Sequence, residues 1–570
     1  MPAINRPAHA NAPSALRDIA EAPSAIGPSS YEMKVAYVEQ FFARPFGWWS
    51  TLAALCLLLL APLLLADVPP ILDYPNHLAR LFILAHAGQD PVLDGIWQPH
   101  WAVIPDLVID LLAPPLMHIM TPFAAGRMML ALALLVPVAG AVAYSRAAFG
   151  ERLYWPMLAG LMAYNIIFVL GFINYLISLG GALLAAAAWL SLRGKPMIVR
   201  GLVGAACASV LFFTHIMGVA FFAVLVGAAE ASELISRPGG LRIGIDAVRR
   251  ASLLAVSLVG PLLLLSLVPP HTPTALAPQW SFVSKLFYLA SPFVAYQTLP
   301  GLLVAAAFFC TATIWMARGV GRVGPGIPIA ALALLATYVC LPFSAAGAAF
   351  IDSRVPLILT LALAAGIRPP LLPSWLRRGA AVSLGAALVV EVLLVGIVWR
   401  GHEAEVAELR ASIAAVPPGS RVLSVSAPFD KGSPYWRAAP PGLLALGRFR
   451  TDYHLPALLV IDRHAFWPLL FSDPSQHPIA VRPPYDALIW QGRSPEARSL
   501  IVERSLDPTW PAPYLKNWPA NFDFVLVLNA AGVDDLPHLL PDKLQLLNQS
   551  KFSALLRVRE RTDSENSASR

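Results

Sequence analysis

Eleven apolar runs, separated by short polar breaks, dominate the first 400 residues. They lie near 47–66, 124–147, 153–170, 174–192, 201–214, 216–235, 252–268, 300–317, 327–343, 354–367 and 379–399. A helix needs roughly 20 apolar residues to cross a bilayer, and fewer where it is kinked or buried among neighbours. The pattern therefore predicts a polytopic α-helical membrane protein with about eleven transmembrane helices. The stretch 101–122 breaks the rhythm. It is apolar, yet it holds Asp106, Asp110, Pro105, Pro114, Pro115 and His118, and is expected to form helices lying at the membrane surface.

From residue 401 the pattern changes. A helical stretch at Glu403–Ala415 and the turn Pro417-Pro418-Gly419 lead into strand candidates at Arg421–Ser426, Ala457–Ile461, Phe522–Leu528 and Phe552–Val558. Leu536–Leu547 reads as helical. Such alternation predicts a small α/β domain. Asn529, after a strand end, is either a turn residue or a binding residue.

Charge then orients the chain. Basic residues gather in alternate connections, such as Arg193, Lys195 and Arg200, or Arg237, Arg242, Arg249 and Arg250. The other connections hold Arg80, Lys285, Arg354 and little else. Basic loops stay cytoplasmic. The expected organisation is a cytoplasmic tail at 1–46 and a transmembrane domain at 47–399 with a periplasmic loop at 67–123. A periplasmic soluble α/β domain follows at 400–570. Residues 1–45 are polar and rich in Ala and Pro, unlike a cleavable signal peptide. A bacterial inner membrane is the expected location.

Composition agrees. Hydrophobic residues make up 57% of the chain and charged residues 13%, with a mean hydropathy of +0.63. Soluble domains average about 25% charged residues, so much of this surface must face lipid. The net charge of +7 does not indicate nucleic acid, because the cations sit between apolar runs where they set orientation. Cys56, Cys207, Cys310 and Cys340 all lie inside apolar runs and form no CxxC pair. They imply neither disulfides nor a zinc site, and are expected to be small buried hydrophobes.

The first polar loop carries the candidate chemistry. It reads Pro69-Pro70-Ile71-Leu72-Asp73-Tyr74-Pro75-Asn76-His77-Leu78-Ala79-Arg80. Pro75 suits the first turn of a helix, which would gather Asp73, Asn76, His77 and Arg80 near one face. Asp73 could accept a proton from a hydroxyl or hold a divalent cation, and His77 and Arg80 could hold a phosphate. The plainer alternative is that Asp73 caps the helix and pairs with Arg80. A second cluster, Asp352-Ser353-Arg354, begins a later span. It either faces a cavity shared with the first loop or forms an ion pair at headgroup level. Asn165, Asn174, the turn Gly171–Tyr175, Thr214-His215, and His271, Gln279, Trp280 and Lys285 add polar capacity on the same side.

This layout resembles the C-type (GT-C) membrane glycosyltransferase superfamily, in particular its RgtA/B/C/D-like and aminoarabinose-transferase-like members. Those enzymes have a first span, an outer loop with an early catalytic acid, surface helices, many further spans and often an outer soluble domain. Asp73 lies where that acid should be, followed by Tyr74 and not by a second acid. The resemblance implies a polyprenyl-phosphate sugar donor and membrane lipid as partners, Asp73 as general base, and inversion at the sugar carbon. It implies His77, Arg80, Asp352 or Arg354 at the substrate, with no certain cofactor, a divalent cation being an option. The competing expectations are a non-catalytic component of envelope polysaccharide assembly or export, and a transporter. A transporter should carry ionisable groups at mid-span, and here Glu230, Glu233 and Glu391 are the few candidates.

Overall fold

The computed structural model of the chain describes residues 44–236, 241–269, 278–345, 348–428, 444–445, 449–490, 492–507, 511–533 and 540–559. The chain forms two units, residues 1–53 and residues 54–570. In the first, the Thr51 hydroxyl donates to the Gly47 carbonyl at 2.8 Å. The Trp48 and Trp49 rings meet edge to face at 4.8 Å.

The principal helices, in chain order, begin with α1 (Pro45–Leu60), α2 (Tyr74–His86), α3 (Val108–Met117), α4 (Pro122–Phe149), α5 (Ile173–Ser191) and α6 (Met197–Thr214). They continue with α7 (Ile216–Ile235), α8 (Leu241–Ser266), α9 (Thr298–Ala317), α10 (Ile327–Cys340), α11 (Val355–Gly366) and α12 (Ser374–Ile413). Among the described residues, eight helical segments are long and apolar enough to cross a membrane, all but α2, α3, α10 and α11 of these twelve. The expected span at 153–170 is a short apolar segment, Trp155–Leu170, and α10 and α11 are also short. All three expected spans are thus helical, but shorter than a lone bilayer crossing requires.

Local chemistry sets the breaks. The Thr121 hydroxyl accepts from the Ala124 amide and starts α4, while Gly150 ends it in a left-handed conformation. Helices α4 and α5 touch backbone to backbone at Gly140 and Gly180, where any Cβ would collide with the facing main chain. Without a hydrophobic force between helices in lipid, such close approach supplies the packing. Cys310 and Cys340 are exposed on their helices, contrary to the buried expectation. An exposed thiol on a lipid-facing helix behaves as one more small apolar group.

Helix α12 does not stop at residue 399. It runs 40 residues, about 60 Å at 1.5 Å per residue. Its last turns bury Val406, Leu409 and Ile413 in the C-terminal region. The expected stretch Glu403–Ala415 is therefore the end of a spanning helix and not a separate element. Strand β1 (Trp97–Pro99) belongs to the first loop. The C-terminal region supplies β2 (Val422–Ser426), β3 (Ile479–Val481), β4 (Phe524–Leu528), β5 (Leu544–Gln549) and β6 (Ser553–Val558). A four-stranded sheet runs in the order β2-β4-β6-β5. Its β2–β4 pair is parallel, with Val422 opposite Phe524, and the other pairs are antiparallel. Both parallel strands are buried along their whole length, as expected for strands covered on both faces.

Two expectations for this region are corrected. Ala457–Ile461 is not a strand: Pro456 starts a helical turn that continues as Leu458–Arg463. A five-residue run buried all round carries no period to separate strand from helix. The C-terminal part of Leu536–Leu547 is strand β5, held by its ladder to β6, and residues 534–539 lie outside the described residues.

The C-terminal region is stitched to the first loop. Strand β1 pairs antiparallel with β3, with Trp97 opposite Val481. The Asn76 side chain imitates a strand edge: its amide donates to the Leu469 carbonyl at 2.9 Å, and its oxygen accepts from the Phe471 amide at 2.7 Å.

Candidate functional site

Asp73 is placed by main chain. Its amide and that of Leu72 donate to the carbonyls of Leu170 and Val169, at 3.2 and 2.9 Å. Those carbonyls end the short helix Ile166–Leu170, which Asn165 caps and Gly171 closes at φ +92°. A Cβ on residue 171 would lie 2.8 Å from both Cβ and N of Asp73. Only glycine accommodates both that backbone and that approach. Pro75 occupies the first turn of α2 as expected, and Asp73 sits at the cap position. Its carboxylate makes no capping bond. It turns instead to the C-terminal region, where Oδ1 lies 3.0 Å from Nδ1 of His454.

Arg80 does not pair with Asp73 either. Its guanidinium grips Asp110 on α3 in a fork, Nε to Oδ1 at 2.7 Å and Nη2 to Oδ2 at 3.0 Å, with both side chains sealed from solvent. Nη1 lies 3.2 Å from Nδ1 of His477 in the C-terminal region. Helix α3, expected at a membrane surface, turns its acid inward. His77 hydrogen-bonds the backbone of Gly171, and its Nδ1 has no partner among the described residues.

A third group joins these two. Asp106, at φ +68°, is held by the amide of Asn174, which donates to its backbone carbonyl. Asn174 also accepts from the Ile109 amide at 3.3 Å. His215, between α6 and α7, accepts from the Met217 amide through Nδ1 at 3.0 Å. Its Nε2 therefore carries the hydrogen, and it faces Asp106 Oδ1 at 3.9 Å. Arg354 stacks over Phe172 at 4.4 Å and near Tyr175 at 5.7 Å, with Nη1 3.3 Å from His215 Nε2. Two donors facing each other do not bond, and Arg354 Nε and Asp106 Oδ1 both lack partners among the described residues.

Asp73, His77 and Arg354 thus share one neighbourhood, with Arg80 beside them on Asp110. Asp352 does not join it. Its Oδ2 binds Lys285 Nζ at 2.7 Å, and that ammonium also donates to the carbonyls of Tyr338 and Leu341, each at 2.8 Å. Neither the shared cavity nor an Asp352–Arg354 pair holds for Asp352. Gln279 and Trp280 serve the same segment through the backbone of Ser344 and Cys340, and His271 lies outside the described residues.

Depth in the protein governs the electrostatics. Burial holds His77, His215 and His477 well below the usual histidine range, with Arg80 adding to it for His77 and His477 and Arg354 for His215. Burial pushes the Asp110 carboxyl up, against Arg80. It pushes Asp106 up to about 7, against Arg354 and Arg80. The side chain of Asp106 keeps 42% exposure, so solvent works against that push. Burial lowers Arg354, opposed by Tyr175, Asp106 and Asp73.

His454 and His477 are the functional candidates that sequence reading missed. They lie some 400 residues from Asp73 and in a region whose pattern spoke only of a soluble domain. His454 is oriented by Gly492, whose carbonyl is 2.9 Å from Nε2. Nearby, Asp452 is bound by Arg450 at 2.8 Å and by Asn529, so Asn529 is both a turn residue, at φ +55°, and part of this support. Among the described residues, no group of three or more His, Cys, Asp or Glu side chains stands together as metal ligands. Among those residues, Asp73 meets His454 and Asp106 meets His215 as pairs.

No family model matches the sequence, and no curated protein does. Among solved structures, the chain is similar to ArnT from Cupriavidus metallidurans bound to undecaprenyl phosphate. Identity is 14%, 90% of this chain and 98% of that one are covered, and the TM-score is 0.48. It is also similar to the arabinofuranosyltransferase AftD from Mycobacteria, at 13% identity over 90% of this chain and 40% of that one, with a TM-score of 0.43. Both are GT-C glycosyltransferases.

Proposed function

We propose that this chain is an inner-membrane glycosyltransferase that moves a sugar from a polyprenyl-phosphate donor to an acceptor hydroxyl at the periplasmic face. The observation that carries the reading is a carboxylate, Asp73, that makes no capping bond and lies within electrostatic reach of Arg354, whose Nε has no hydrogen-bond partner among the described residues while Nη2 donates to the Ala349 carbonyl at 3.3 Å. One is a proton acceptor and the other an anion partner, as transfer from a phosphate requires. Asp73 takes the proton of the acceptor hydroxyl while its oxygen attacks the anomeric carbon. The bond from that carbon to the phosphate oxygen breaks, the electron pair leaves with the lipid phosphate, and configuration inverts. Arg354 neutralises the phosphate, and His77 lies in reach as a neutral donor or acceptor. Arg80 keeps Asp110 and the loop in place, and Asp352 steadies the neighbouring segment. The basic loops at 193–200 and 237–250 support a cytoplasmic N-terminus and a periplasmic C-terminal region.

The test is reconstitution of the purified chain in liposomes with polyprenyl-phosphate sugars of several kinds. The expected result is catalytic release of polyprenyl phosphate as sugar reaches an acceptor. Binding of the lipid without turnover would make the chain an assembly component, and movement of sugar across the bilayer without transfer would make it a transporter.

A further inference from the structure

We infer that a small cavity between α9 and α12 takes the hydroxyl end of a neutral membrane alcohol, with Glu391 as its hydrogen-bond acceptor. The inference goes beyond the glycosyltransferase reading and stands without it.

The cavity measures about 100 Å³. On α12 it is lined by Ala387, Val390, Glu391, Leu394 and Val395, which recur at the spacing of one helix face. Phe293 and Gly301 stand opposite. Gln297 and Pro300 lie exposed at its edge. Leu299 and Leu303, beside them, are exposed on α9, so the mouth opens toward lipid. Glu391 lies eight residues before Trp399 on α12, about 12 Å along the axis. It is therefore inside the spanning stretch.

An ionisable side chain at that depth is costly, and it pairs with another group or marks a ligand. Among the described residues, Glu391 makes no hydrogen bond and no ion pair. The tyrosine in the cavity wall is already spent. The Tyr296 hydroxyl donates to the Pro70 carbonyl at 2.9 Å and accepts from Trp399 Nε1 at 3.0 Å. A carboxyl group accepts a hydrogen bond whether or not it carries a proton, so the partner that fits is a donor. A hydroxyl brings one hydrogen to one acceptor. An ammonium brings three, and a full charge into apolar walls. The hydrocarbon of a polyprenyl chain brings none. An apolar cavity of about 150 Å³ holds a benzene ring. This smaller one suits a short alkyl segment that ends in a hydroxyl and enters from the lipid.

The test uses the full chain in nanodiscs and a long-chain alcohol with a photoreactive diazirine near its hydroxyl. Light should attach it to the peptides of α9 and α12 that line the cavity. Unlabelled dodecanol should compete. Dodecyl methyl ether, with the same chain and no donor, should compete about tenfold more weakly. Glu391→Leu should lose the same factor in affinity, and Glu391→Gln, which keeps a carbonyl acceptor, should retain most of it. Equal competition by alcohol and ether, or unchanged labelling of Glu391→Leu, would overturn the inference and leave a plain groove for lipid chains. Stronger competition by a polyprenyl phosphate or by dodecylamine would overturn it in favour of that ligand. If Glu391→Leu does not fold, the comparison of alcohol with ether on the wild type still decides. None of these measurements depends on sugar transfer, so failure of the glycosyltransferase reading leaves them standing.

Discussion

Two buried charge networks in this molecule use the same residue types and end in opposite states. Around Glu230 on α7, the carboxylate receives Trp189 at 2.9 Å, Arg200 at 2.5 Å and Arg250. One atom there, Arg200 Nε, lacks a partner. Around Asp73, four atoms lack one among the described residues: His77 Nδ1, Asp106 Oδ1, Arg354 Nε and His454 Nδ1. Unmade hydrogen bonds on buried groups cost about 1–3 kcal/mol each. A fold that satisfies Glu230 so fully and leaves the second network open is holding the latter ready for something else. The first network is closed on itself, and the second is the one that the proposed function assigns to substrate.

That contrast can be broken in several places. The largest effect is expected from Glu230→Gln, which leaves two buried guanidinium groups facing a neutral amide. Breaking such a pair costs about 3–5 kcal/mol, so the apparent melting temperature should fall sharply. An unchanged melting curve would remove Glu230 from the structural class. Next comes Arg354→Ala. Hydrogen bonds to a charged group contribute about 1.5–3 kcal/mol, so donor affinity should weaken about 10- to 100-fold while the KM for acceptor barely moves. Equal loss for both substrates would deny Arg354 its phosphate.

Gly171→Ala should act on Asp73 at a distance. The positive φ alone costs about 1 kcal/mol, and the new methyl pushes on Asp73. Transfer should fall roughly tenfold or more, together with a loss of stability from the strained turn, and intact transfer would free Asp73 from that turn. The smallest effect concerns pH. His77, His215 and His477 stay neutral in the folded protein below their ordinary 6.5, whereas the unfolded chain takes up protons there. The stability is therefore present above that value and lost as pH falls toward the depressed folded values. Melting temperature should decline from about pH 7 to about pH 5, and less steeply in His477→Gln. An identical slope in that variant would clear His477.

The sequence made some of this readable and hid the rest for physical reasons. Hydrophobic run length located the eight helical segments that are long and apolar enough to span among the described residues, because a lipid-facing helix must be apolar over its whole exposed length, and it overcounted at three shorter segments. The helix start beside Asp73 was legible too, since Pro69, Pro70 and Pro75 punctuate its loop. The partner of Asp73 was not. His454 is brought to Asp73 by the β1–β3 ladder and by Asn76 on Leu469 and Phe471, contacts across nearly 400 residues that no local period records. Arg80 was placed near Asp73 by helical spacing, and tertiary packing gave it to Asp110 instead. Asp352 shared a motif with Arg354, but adjacent residues on a turn point apart, and Lys285 took the acid.

The central claim is that the Asp73 carboxylate is chemical and not structural, and Asp73→Asn tests it most directly. The carboxylate makes no capping bond, and asparagine caps a helix as well as aspartate does, so folding and melting temperature should match the wild type. A positioned base contributes about 10²–10⁴-fold, and sugar transfer should drop by that order. Wild-type transfer by a normally folded Asp73→Asn protein would contradict the account.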